Sequence, residues 1–125
     1  MWKKLLLILI LPLLLAGCRG TFTNISPTRQ VRTGDNTYPV EVVFISRQKT
    51  LRWDSIEPLV LYDGNTYPMR LTPLMTNRWE GSISIPADRD EATYRFKFNY
   101  LYDTFGGPRA DSEISPAYHL QILGE

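Results

Sequence analysis

The stretch ATYRFKFNYLY, Ala92 to Tyr102, alternates without a break. Tyr94, Phe96, Phe98, Tyr100 and Tyr102 share one side; Thr93, Arg95, Lys97 and Asn99 share the other. Successive side chains of a strand point to opposite faces, so a period of two over this length demands a half-buried β-strand with an aromatic inner stripe. A helix would scatter these rings around its axis.

Other segments repeat the pattern. RWEGSISIP turns Trp79, Ile83 and Ile85 inward and Arg78, Glu80, Ser82 and Ser84 outward, and AYHLQIL groups Tyr118, Leu120 and Ile122. PVEVVFISR is apolar on both sides, as a central strand is. PLVLY-DG-NTYPMRL predicts a hairpin, because Asp-Gly tolerates the positive φ of a type I′ turn. Pro39, Pro58, Pro68, Pro73, Pro86 and Pro116 are expected at strand ends or edges, where a missing N–H costs little. No segment after Cys18 holds a 3.6-residue period. About seven strands, with turns every 8 to 12 residues, predict an all-β chain forming one β-sandwich. The near-identical phrases GDNTYP (Gly34–Pro39) and DGNTYP (Asp63–Pro68) are too short for a structural repeat, and they predict two polar turns leading into strands.

Within SISIPADRDEATYRF, the spacing Asp90-x-Ala92-x-Tyr94-x-Phe96 resembles the E-to-F passage of immunoglobulin domains. The resemblance implies an immunoglobulin-like sandwich with a structural corner at Asp90, Ala92 and Tyr94, the tyrosine hydroxyl bonding upstream backbone. Phe96 stands where antibodies carry a disulfide cysteine. The onset ISPTRQVRTGDN, Ile25 to Asn36, is similar to that of IPT/TIG-type immunoglobulin-like modules.

The chain begins MWKKLLLILILPLLLAGCRG. Lys3 and Lys4 precede an apolar run from Leu5 to Leu15, broken only by Pro12, and Ala16 and Gly17 are small. The run is short of the roughly 20 residues that span a bilayer, and its anatomy is that of a cleaved export signal. Leu15-Ala16-Gly17-Cys18 resembles the bacterial lipobox. That resemblance implies cleavage between Gly17 and Cys18, a diacylglyceryl group on the Cys18 sulfur, and palmitate-class acylation of the new amino terminus. At about 0.8 kcal/mol per buried CH₂, two or three chains hold a protein on a membrane. Arg19, where proteobacterial inner-membrane lipoproteins carry Asp, implies the outer membrane over the inner. Residues 1–17 are thus read as signal peptide, 18–20 as lipidated cysteine and short tether, and 21–125 as the sandwich.

Cleavage would remove two of the 14 Lys and Arg and leave 12 against 13 Asp and Glu, so the domain is close to neutral and lacks a nucleic-acid footprint. Cys18 is the only cysteine, so an exported domain of this size must rely on packing alone.

No catalytic set is legible. His119 is the single histidine, on the strand face opposite Tyr118 and Leu120. No nucleophile elbow exists. Zinc takes three or four N or S ligands, which one histidine cannot supply. Asp88, Asp90 and Glu91 lack the spacing of a calcium loop and read as a solvated turn. The expectation is a non-catalytic interaction domain with no cofactor and no metal, held in the bacterial envelope through Cys18 and contacting an envelope protein. The alternative is a carbohydrate-binding module. Trp53, Tyr62, Tyr67, Phe105 and Tyr118 are expected as exposed aromatics, with Trp53, Tyr67 and Phe105 as candidate ligand contacts. RWEGSISIP…TYRFKF also resembles starch-binding sandwich modules. Tyr102 to Ser115 reads as the longest polar loop or an extended hairpin, a place where sandwiches carry recognition.

Overall fold

The computed structural model describes residues 20–124. The signal segment and the Gly17–Cys18 site lie outside the described residues, as does Glu125.

Ten strands follow in order: β1 (Gly20–Asn24), β2 (Arg29–Val31), β3 (Thr37–Ser46), β4 (Glu57–Tyr62), β5 (Asn65–Pro68), β6 (Arg70–Leu71), β7 (Arg78–Ser84), β8 (Glu91–Thr104), β9 (Gly107–Ile114) and β10 (Tyr118–Leu123). A single 3-10 turn, Trp53–Ser55, interrupts them. No helix among the described residues is long and apolar enough to cross a membrane.

The strands form two sheets. One runs β1-β3-β7-β6; the other runs β2-β10-β8-β4-β5, with β9 pairing the far half of β8. With β3, β4, β7, β8 and β10 taken as B, C, E, F and G, the order is A-B-E-D against G-F-C with an added strand beyond C. This is the immunoglobulin arrangement. The strand count exceeds seven for physical reasons. The first strand divides, β1 pairing antiparallel with β3 and β2 parallel with β10. The last strand divides too, β9 pairing the far half of β8 and β10 its near half.

The alternation in the sequence becomes the core. Tyr94, Phe96, Phe98 and Tyr100 from β8 face Tyr38, Val40, Val42 and Phe44 from β3, all nearly or fully buried. Trp79 and Ile83 from β7 and Leu120 and Ile122 from β10 complete it. Burying such a side chain stabilises by about 1.5–3 kcal/mol, which explains how the fold stands without a cross-link. Phe96 is wholly buried and packs against Tyr94 and Tyr118.

Turn chemistry matches its residues. Asp63 (φ 51°) and Gly64 (φ 76°) join β4 to β5, as the type I′ hairpin requires. Asn36 (φ 62°) turns the chain into β3, so the two similar phrases are two turns entering strands. Pro39 lies inside β3 opposite Ser82, but β1 pairs only with Val42 to Ser46, so no strand adjoins Pro39 on that side.

Among the described residues the two buried polar ones are serines, and each sits where a strand changes course. Ser26 follows the departure of β1 from β3; its hydroxyl accepts from the Glu41 N–H at 2.8 Å and donates to the Glu41 carbonyl at 3.0 Å. Ser115 lies between β9 and β10; it accepts from the Phe96 N–H at 2.8 Å and donates to the Pro116 carbonyl at 2.8 Å. Each hydroxyl supplies the bond that a continuous ladder would have made.

Two expectations change, and one of two open readings is settled. Gly20 is not tether: it begins β1, buried opposite Ser46. A Cβ there would stand 2.6 Å from the Phe44 ring, so only glycine allows this approach. Tyr94 does not close a corner at the β7–β8 crossover. Its ring is in the core, but its hydroxyl accepts from Asn24 Nδ2 at 2.9 Å and so ties the two sheets together. Asp90 instead pairs with Arg32 at 2.7 Å, and Ala92 is buried in β8 opposite Leu120. The stretch from Tyr102 to Ser115 is mostly paired strand, with β8 and β9 forming a long hairpin whose tip is Phe105-Gly106.

Candidate functional site

At one end of the sandwich the sheets part, and an open groove of about 890 Å³ lies between the starts of β4 and β7. Phe44 and Trp79 line its inner side with Met69. Ile56, Pro58 and Leu71 form its walls, and Ile45, Trp53 and Met75 its rim. Asp54 is the one charged residue among those lining it. The groove is therefore apolar, with Met69 at its inner side and the adaptable Met75 on its rim.

Trp53 reaches this site through a stitched loop. The segment between β3 and β4 docks on the far half of β8. Arg52 N–H donates to the Leu101 carbonyl at 2.9 Å, Asp103 N–H to the Thr50 carbonyl at 3.0 Å, and Leu51 bridges Tyr102. Ser55 Oγ accepts from the Leu101 N–H at 2.8 Å. Arg52 and Asp103 pair at 2.7 Å, and this hydrogen-bonded carboxylate holds the guanidinium above its usual pKa. So positioned, the Trp53 ring stacks parallel to Trp79 at 6.3 Å, with Phe44 edge-on to both at 6.4 Å. Trp79 is buried in this cluster, whereas Trp53 keeps 45% of its surface exposed.

The segment between β6 and β7 forms the opposite rim. Met75 N–H donates to the Thr72 carbonyl at 3.1 Å, closing a turn with Pro73 and Leu74 at its centre. Leu74 has φ 66°. Proline first and positive φ second is the type II pattern, whose second central place belongs to Gly or Asn. Leu74 is strained there and also fully exposed, at 105%.

The three candidate contacts are not brought together. Trp53 lines the groove. Tyr67 is half-buried against the core, its hydroxyl near the Ser84 carbonyl at 3.5 Å. Phe105, 114% exposed, is at the β8–β9 hairpin tip. Tyr62, expected outside, belongs to the core: it is buried and accepts from Arg89 at 3.0 Å, whereas Tyr118 is partly buried against the core. Tyr118 packs on Tyr94 and Phe96, and burial raises its phenol pKa, with the Tyr94 neighbour adding to the rise. His119 points outward and shares a hydrogen bond with Thr93 at 3.0 Å. Among the described residues no three His, Cys, Asp or Glu side chains converge in a metal-holding group.

Ile45, Leu71, Leu74 and Met75 were not singled out in the sequence. Leu71 and Leu74 carried a signal only in hindsight of the turn: apolar residues flanking Pro73 between two strands.

No protein-family model matches the chain, and the search of curated proteins found no match. Among solved structures it is similar to a DUF4785 family protein from Legionella pneumophila, at 9% identity over 83% of this chain and with a TM-score of 0.48. The chain spans 28% of the length of that protein. It is also similar to murine CRIg, at 9% identity over 84% of this chain and 98% of that one, with a TM-score of 0.40.

Proposed function

We propose that this chain is a bacterial envelope lipoprotein, anchored through lipid on Cys18, whose immunoglobulin-like sandwich works by contact rather than by catalysis. The lipobox resemblance supports the anchor, and Arg19 favours the outer membrane. The observation that carries the contact reading is the apolar groove with its exposed rim. Monomeric soluble domains seldom keep Ile45, Trp53, Leu71, Leu74 and Met75 exposed in one neighbourhood without a use for them.

A sugar is the weaker occupant. Glycan sites combine an aromatic platform with several converging polar groups, whereas this lining offers mainly Asp54, Thr76 and Asn77. One face of Trp53 is also covered by Trp79.

A photo-crosslinking residue at Ile45, in cells carrying the full chain, tests the reading. A covalent adduct with an envelope component is expected from Ile45, and much less from Val31 at the opposite end. Equal yields from both positions would remove the groove as the contact surface. Radiolabelled palmitate entering the wild type but not Cys18→Ser tests the anchor.

A further inference from the structure

The geometry points to the groove-bearing end of the sandwich as a membrane-docking face, with Leu74 and Phe105 entering the headgroup–acyl boundary of the bilayer that holds Cys18. This rests on Cys18 carrying lipid, and goes beyond that reading by fixing which face meets the membrane.

Two observations converge. The first is chain length. Gly20 begins β1 against Phe44, a residue that also lines the groove. Two peptide steps separate Gly20 from Cys18, and a chain extends at most about 3.6 Å per residue. The lipid-bearing residue therefore lies within about 7 Å of this end of the domain, and the end cannot stand clear of the headgroups.

The second is the placement of exposed apolar side chains. Leu74 and Phe105 are the two most exposed large hydrophobic residues of the described chain, and both lie at this end. Leu74 occupies a backbone conformation that glycine would adopt without strain. Strain retained under a fully exposed apolar side chain points to a use for that side chain. Phe105 caps a hairpin in which Gly107, at φ 111°, makes the tight reversal.

The test uses the full lipidated protein in vesicles of phosphatidylethanolamine and phosphatidylglycerol. Lipid occupies the Cys18 sulfur, so Leu74→Cys, Phe105→Cys and Val31→Cys each present one free thiol for an environment-sensitive fluorophore. Blue-shifted emission and several-fold stronger quenching by spin-labelled lipid are expected at positions 74 and 105 than at 31. Water-like emission at all three, with the lipid present by mass, overturns the docking face and leaves the anchor intact. A mature mass without lipid overturns both. A blue shift without lipid quenching overturns the proposal in favour of a protein at this end. Leu74→Gly with Phe105→Ser, folded by circular dichroism, is expected to weaken quenching of a probe at Ile45→Cys at least two-fold.

Discussion

Ser115→Ala isolates one buried hydrogen bond. Ser115 is 2% exposed, and its hydroxyl is the acceptor for the Phe96 N–H at 2.8 Å. Phe96 is itself fully buried, so water cannot replace the lost oxygen without displacing core. Leaving a buried donor unsatisfied costs about 1–3 kcal/mol, whereas the shape change from Ser to Ala is small. For a domain near 100 residues each kcal/mol shifts Tm by about 4 °C or more, so a fall of about 4–12 °C is expected in scanning calorimetry. Ser112→Ala, on the exposed face of the neighbouring strand, is the control and should stay within about 0.5 kcal/mol of wild type. A Ser115→Ala protein that melts within 1 °C of wild type would refute the reasoning, since the Phe96 donor would then have another acceptor.

Other outcomes follow from the same structure. Trp79→Ala empties the middle of the aromatic cluster and should cost about 3–5 kcal/mol, read by urea denaturation. Trp53→Ala removes a half-exposed ring and should leave a cooperatively folded domain while lowering the crosslinking yield from Ile45. Gly20→Val drives a side chain into the Phe44 ring and should reduce Tm, most visibly as faster amide exchange in β1. Tyr118 has a raised phenol pKa from burial. The unfolded chain then loses this proton first, so stability falls as pH rises above about 10. Denaturation midpoints from pH 9 to 11.5 should drop less steeply in Tyr118→Phe.

The strands and their inner faces were readable because the signal is local. A period of two marks both the element and the side that is buried, and β8 keeps that period for its whole described length. The hairpin at Asp63-Gly64 was equally local, since positive φ is a property of two residues. The corner motif failed for the opposite reason. Asp90, Ala92 and Tyr94 have the right spacing, but the partner of the Tyr94 hydroxyl is Asn24, 70 residues away. The same holds for Tyr62, whose polar tip suggested exposure until packing placed its ring inside.

Residue order alone thus dictated an all-β sandwich and a core led by Tyr94, Phe96 and Phe98. Each is written in neighbouring residues or in short periodicity. Tertiary structure decided where the sheets part, which tryptophan is buried and which stays half in water, and that Gly20, Trp53, Leu74 and Phe105 come to one end. Those four lie on separate segments of the chain, and only the pairing of distant strands brings them together. A ladder joins residues by register rather than by proximity in sequence, so no local pattern records which exposed side chains end up as neighbours.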